Sequence, residues 1–162
     1  MKRGRNTLLP DEKSRRSFRN FCLALAKGDQ STAKKELDNI EAIGGKGELW
    51  NGFLWGLNGM YDASARKDER ATFVMAYSRL MPEEIRKIVN ALREEEKALF
   101  ITERERGVFE ANIYALDAIA EAIEKGQIKR ELPGEAQEGE QTTESSDDEV
   151  VEANEVEKEG DE

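Results

Sequence analysis

Histidine is missing from the 162 residues, cysteine occurs once and proline three times. Without an imidazole the chain lacks the commonest general base, the Ser-His-Asp triad, the Cys-His dyad and most protein zinc sites. Di-iron bundles place Glu-x-x-His on their helices and are excluded for the same reason. One cysteine cannot close an internal disulfide, which excludes a secreted cystine framework. Cys22 lies in the run Phe21-Cys22-Leu23-Ala24-Leu25-Ala26 and reads as core packing, not as a reactive thiol. Long apolar runs are missing too. The longest, Leu49 to Tyr61, is too short to cross a bilayer and contains three glycines. The basic start Lys2-Arg3-Gly4-Arg5 is followed by no apolar segment of a secretory signal, so the expected location is the cytoplasm. No Gly-x-x-x-x-Gly-Lys-Ser/Thr loop occurs. Gly44-Gly45-Lys46-Gly47 has a similar composition but follows no strand, and reads as a turn between helices. No catalytic residue, metal ligand or cofactor is assigned, and a non-enzyme is expected.

What the chain does have is charge, unevenly placed. Residues 131–162 hold fourteen acids and one base, Lys158, for a net −13, which leaves +3 on residues 1–130. The many Glu, Lys and Arg beside few thermolabile residues fit a thermophile's usage. From Glu131 onward large apolar residues are sparse and aromatics absent, so the segment cannot bury enough surface to offset its ordering entropy. The organisation read from this is a flexible basic arm over 1–9, a helical domain over 10–128 and a disordered acidic tail over 129–162.

Periodicity makes the domain all-α, a bundle or irregular array of five to six helices. The first is expected to begin near Pro10-Asp11, with Phe18, Phe21, Cys22 and Leu25 at helical spacing, and to end at Gly28. Asp29 or Ser31 caps the second, whose Ala33, Leu37 and Ile40 share a face before Gly44-Gly45. The third, over 48–65, turns Trp50, Phe53, Leu54, Leu57, Met60, Tyr61 and Ser64 to one side. Beside them runs a stripe of Gly52, Gly56, Gly59 and Ala63. A helix-interior glycine costs about 1 kcal/mol relative to alanine, so three in register predict a closely approaching backbone and a central place for this helix. A fourth helix is expected over 68–80, broken at Met81-Pro82. Pro82 opens a fifth with Ile85, Ile88, Val89, Leu92 and Leu99. The sixth carries Phe109, Ile113, Leu116, Ala120 and Ile123 up to Gly126, with Thr102 and Glu105 as a capping box. One continuous helix from Pro82 to Lys125 is the alternative.

Three surfaces could meet partners. Arg15, Arg16 and Arg19 crowd the first half of the first helix, where the macrodipole disfavours cations. They read either as a phosphate- or acid-facing patch, with Lys2, Arg3, Arg5 and Lys13, or as a solvated face. The acidic tail reads as a ligand for basic partners, as a cover for the chain's own basic arm, or as a solubilising spacer. Trp55 projects away from the main apolar face, as an interface anchor or as a residue covered by another helix. The leading expectation is a non-catalytic interaction or adaptor protein whose partner is another protein or a ribonucleoprotein, with homodimerisation through the glycine stripe as one route. A nucleic-acid-associated protein using the basic arm and first helix is the alternative. The runs Glu94-Glu95-Glu96 and Glu103-Arg104-Glu105-Arg106 read as solvated helix faces, and nothing in the sequence is expected to titrate near neutrality.

Overall fold

A computed structural model describes residues 8–98 and 100–130. Residues 1–7 of the expected arm, Leu99 and residues 131–162 of the expected tail lie outside the described residues. Within them the chain forms six helices, and no strand occurs among the described residues: α1 Glu12–Ala26, α2 Gln30–Glu41, α3 Glu48–Ala65, α4 Thr72–Ser78, α5 Pro82–Ala98 and α6 Glu103–Glu124.

Local chemistry sets most of these ends. The Asp11 carboxylate accepts from the Ser14 amide at 2.7 Å and starts α1. Asp29 does the same for Thr32 at 3.0 Å and starts α2. Thr102 Oγ1 accepts from the Glu105 amide at 3.2 Å while the Glu105 carboxylate accepts from the Thr102 amide at 2.7 Å. This reciprocal cap holds Thr102 extended, so α5 and α6 are two helices and the continuous alternative fails. The fourth helix is shorter than expected. The Asp68 carboxylate accepts from the backbone amide of Arg70 at 3.2 Å, a local bond that competes with helix and delays the start to Thr72.

The packing is built from two antiparallel pairs and one parallel pair. The turn at Gly28 (φ +73°) folds α2 back on α1, and Arg86–Glu124 (2.7 Å) and Arg93–Asp117 (3.0 Å) span the α5–α6 hairpin. At the centre α3 and α6 run side by side in the same direction. A Cβ on Gly52 would strike the Arg104 carbonyl, and one on Gly56 would stand 2.8 Å from Ala111 Cβ. The expected close approach is therefore met inside the molecule, and α3 shares the central position with α6. Gly107 of α6 completes the contact, since a Cβ there would lie 2.6 Å from the Phe53 amide nitrogen. Phe53 also stands 6.1 Å from both Phe18 and Tyr114 and 5.8 Å from Trp50, tying α1, α3 and α6 into one aromatic cluster.

Both domain boundaries shift outward. Leu8 and Leu9 are buried in the core, so the last two residues of the expected arm belong to the fold. At the other end Ile128 is buried, and the Arg130 guanidinium donates to Ala76 O (3.1 Å) and to Leu80 O at the carboxyl end of α4. Cys22 is buried as expected, and desolvation pushes its thiol well above the usual range. A thiol reagent should therefore label Cys22 only on unfolding. Labelling of the native protein at the rate of a free peptide thiol would mean that the α1–α2 hairpin opens.

Candidate functional site

Trp55 is an exposed large hydrophobic residue of α3, at 63%, whereas Trp50 on the same helix is 5% exposed. Among the described residues no helix covers Trp55, so the reading that α1 or α6 covers it is overturned. Its position follows from helix geometry. Trp50, Phe53, Leu57 and Met60 face the core and Gly52 and Gly56 face α6, which leaves position 55 on the remaining arc. One turn further along, on the same side, stands Gly59.

Beside the indole lies a groove of about 260 Å³. Gly56, Gly59, Met60 and Ala63 contribute the α3 side, Ala71, Thr72 and Phe73 the start of α4, and Val108 and Asn112 the α6 side. No charged side chain lines it. A Cβ added at Gly59 would meet nothing within 4 Å, so this glycine serves no contact among the described residues. The structure thus brings Trp55, Gly56, Gly59 and Ala63 together around one groove. It separates from them Gly52, which lies beneath α6. Gly52 meets the Arg104 backbone of α6, so a second copy could reach that position only by opening the core, whereas Gly56 and Gly59 line the groove.

Two of the four described bases of the basic patch, Arg15 and Arg19, are engaged within the chain. Arg15 Nε donates to Leu9 O and its Nη2 to Pro10 O, each at 3.2 Å, and Nη1 lies 3.7 Å from the Glu12 carboxylate. Arg19 meets Glu12 at 2.6 Å, and that guanidinium holds the Glu12 carboxyl below its ordinary range. These bonds tie down the segment entering α1, which accounts for cations placed against the macrodipole. Arg16 is exposed, and its side chain makes no hydrogen bond or ion pair among the described residues.

A group missed by reading the sequence lies on the α5–α6 hairpin. The Glu96 carboxylate, with its side chain 16% exposed, approaches Arg106 Nε at 3.6 Å, and Glu110 is half-buried beside it. Burial pushes the Glu110 carboxyl up to about 7. The negative charge of Glu96 and a hydrogen bond to it act in the same sense, against the weaker pull of Arg93 and Arg106. The expectation that nothing titrates near neutrality is therefore corrected, and Glu96 is not a solvated face residue. The sequence signal was present in Gly107: a helix that packs against α3 through positions 104, 107, 108 and 111 turns position 110 toward α5. Neither Glu96 nor Glu110 lines the groove beside Trp55.

A wider depression of about 760 Å³ opens where the amino ends of α3 and α6 lie together. Lys46 and Arg104 there are offset by Glu48 and Glu103, and the α6 end is already capped by Thr102. Among the described residues no group of three or more Cys, Asp or Glu side chains is placed to hold a metal ion, and no helix is long and apolar enough to cross a membrane. No protein-family model matches the chain, and comparison with curated proteins and with solved structures finds no match.

Proposed function

We propose that this chain is a non-catalytic interaction protein of the cytoplasm whose contact surface is the groove beside Trp55, and that its partner is a protein segment presenting apolar side chains. The observation that carries this is the pairing of a 63%-exposed indole with an open, uncharged groove whose floor includes a helix glycine that no internal contact requires. An exposed indole loses hydration favourably only when a partner covers it, and tryptophan is among the residues that dominate interface energies. Gly59 leaves room for a partner's backbone to come close. The nucleic-acid alternative has less support, since Arg15 and Arg19 are engaged internally and Lys2, Arg3 and Arg5 lie outside the described residues.

The test is capture from the source organism's extract with the full-length chain and with its Trp55→Ser variant. A surface change of this kind alters stability by no more than about 0.5 kcal/mol, so the melting curve should be unmoved. Partners retained by the wild type should be lost from the variant. If both chains retain the same set, the groove is not the contact surface.

A further inference from the structure

Resting on that reading of the groove, we infer that its occupant is α3 of a second copy of this chain. The two α3 helices cross antiparallel about a two-fold axis at Gly59, and each Trp55 enters the other copy's groove over Ala63. Size is the first argument. At about 260 Å³ the groove falls below the roughly 300–1,000 Å³ of small-molecule sites and suits a single inserted side chain. Trp55, exposed beside it, is such a side chain. Trp55 and Ala63 stand four residues to either side of Gly59. A two-fold axis there sets the largest side chain of one α3 opposite a small one of the other, twice over. A parallel pair would set indole against indole and leave the alanines facing a gap. Gly59 is exposed and has no Cβ to hold the helices apart. Residues 55, 59 and 63 also form one row at four-residue spacing, the ridge through which helices most commonly pack.

Charge is the second argument. A patch of one sign meets its own sign across a two-fold axis, so a surface that receives a copy of itself is favoured when neutral. No charged side chain lines the groove. At its rim, residues 62–70 hold three acids, Asp62, Asp68 and Glu69, and three bases, Arg66, Lys67 and Arg70, which balance. The exposed Asp62 lies three residues beyond the axis, so the position opposite it is Gly56, which brings no like charge. Neither groove nor rim thus calls for an acidic or a basic ligand. What opposes association is long-range repulsion, since each chain carries a net −10.

Sedimentation equilibrium of the full-length chain tests this. The wild type should dimerise reversibly, and more tightly as salt rises, because screening weakens the repulsion between chains while the contact holds no charge to screen. Trp55→Ser should raise the dissociation constant at least about tenfold, as loss of a central aromatic anchor does. Gly59→Leu should abolish the dimer. A Cβ at that position meets nothing within 4 Å, so the variant should fold, with a melting midpoint no lower than the wild type's, while its side chain blocks the crossing. A wild type that stays monomeric up to about 0.5 mM overturns the inference. So does a dimer that either variant leaves unchanged, since that contact lies elsewhere on the chain, and so does one that weakens as salt rises. The contact-surface reading is judged apart from this, by capture from extract. A monomeric wild type whose bound proteins are lost with Trp55→Ser keeps the groove as the contact surface and has a different protein as its partner.

Discussion

Alanine at Gly52 should destabilise the protein by about 3 kcal/mol, the upper range for overpacking a core, while alanine at Gly59 should stabilise it by up to about 1 kcal/mol. The two glycines lie two turns apart on one helix and differ only in what faces them. At Gly52 the new methyl would enter the space of the Arg104 backbone carbonyl, which no rotamer change can move, so α3 and α6 would have to separate. At Gly59 it would meet open groove, and the gain is the ordinary preference of a helix for alanine. Gly107→Ala should resemble Gly52→Ala, since it presses on the Phe53 amide nitrogen from the other side. Denaturant midpoints at unchanged slope measure all three. A Gly52→Ala protein as stable as the wild type would mean that the two helices do not approach as described. Because Gly59→Ala also narrows the groove, it should weaken partner capture while raising stability, the expected trade at a binding surface.

Raising the pH from about 4.5 to 7 should weaken the fold, by on the order of 1–2 kcal/mol once solvent screening of the half-buried Glu110 is allowed for. The sign follows from proton counting. Unfolded, Glu110 loses its proton near the ordinary 4.5; folded, it keeps it to about 7. Between those values the native state binds the extra proton, so stability is full below the window and is lost as pH rises through it. Below about 4.5 the opposite group acts: Asp11, Asp29 and Glu105 are held below their usual values chiefly by hydrogen bonds at helix starts, and protonating them weakens the caps. A stability maximum near the lower edge of the window results. Glu110→Gln keeps a donor toward Glu96 and carries no titrating charge, so it should flatten the fall and be the more stable protein at pH 8. Parallel urea titrations of both chains decide it. An unchanged pH slope in the variant would remove Glu110 as its source.

The helices were legible because their signals act within a turn. Asp29, Thr102 with Glu105, and Gly126 are bonds or dihedral preferences among residues three or four apart, and each marks a boundary in the folded chain. The apolar faces follow from the same short range. At the candidate site the stripe announced a close approach but could not say what approached. Gly52 and Gly56 take α6, whereas Gly59 takes nothing among the described residues, although all three look alike in sequence. Arg15 and Arg19 likewise read as free cations until the carbonyls of Leu9 and Pro10 and the carboxylate of Glu12 arrive beside them.

The sequence by itself determined an all-helical chain, its caps and breaks, and which side of each helix is apolar, since periodicity and capping need only near neighbours. The tertiary structure alone decided that α3 and α6 lie parallel with their glycines in mutual register, that Trp55 stays outside, and that Glu96 and Glu110 share one half-buried place. Those outcomes depend on which surfaces meet across forty or more residues of chain, or across a hairpin whose rotation is set by that meeting. Packing volume and desolvation decide such choices, and neither is a property of a short stretch of sequence.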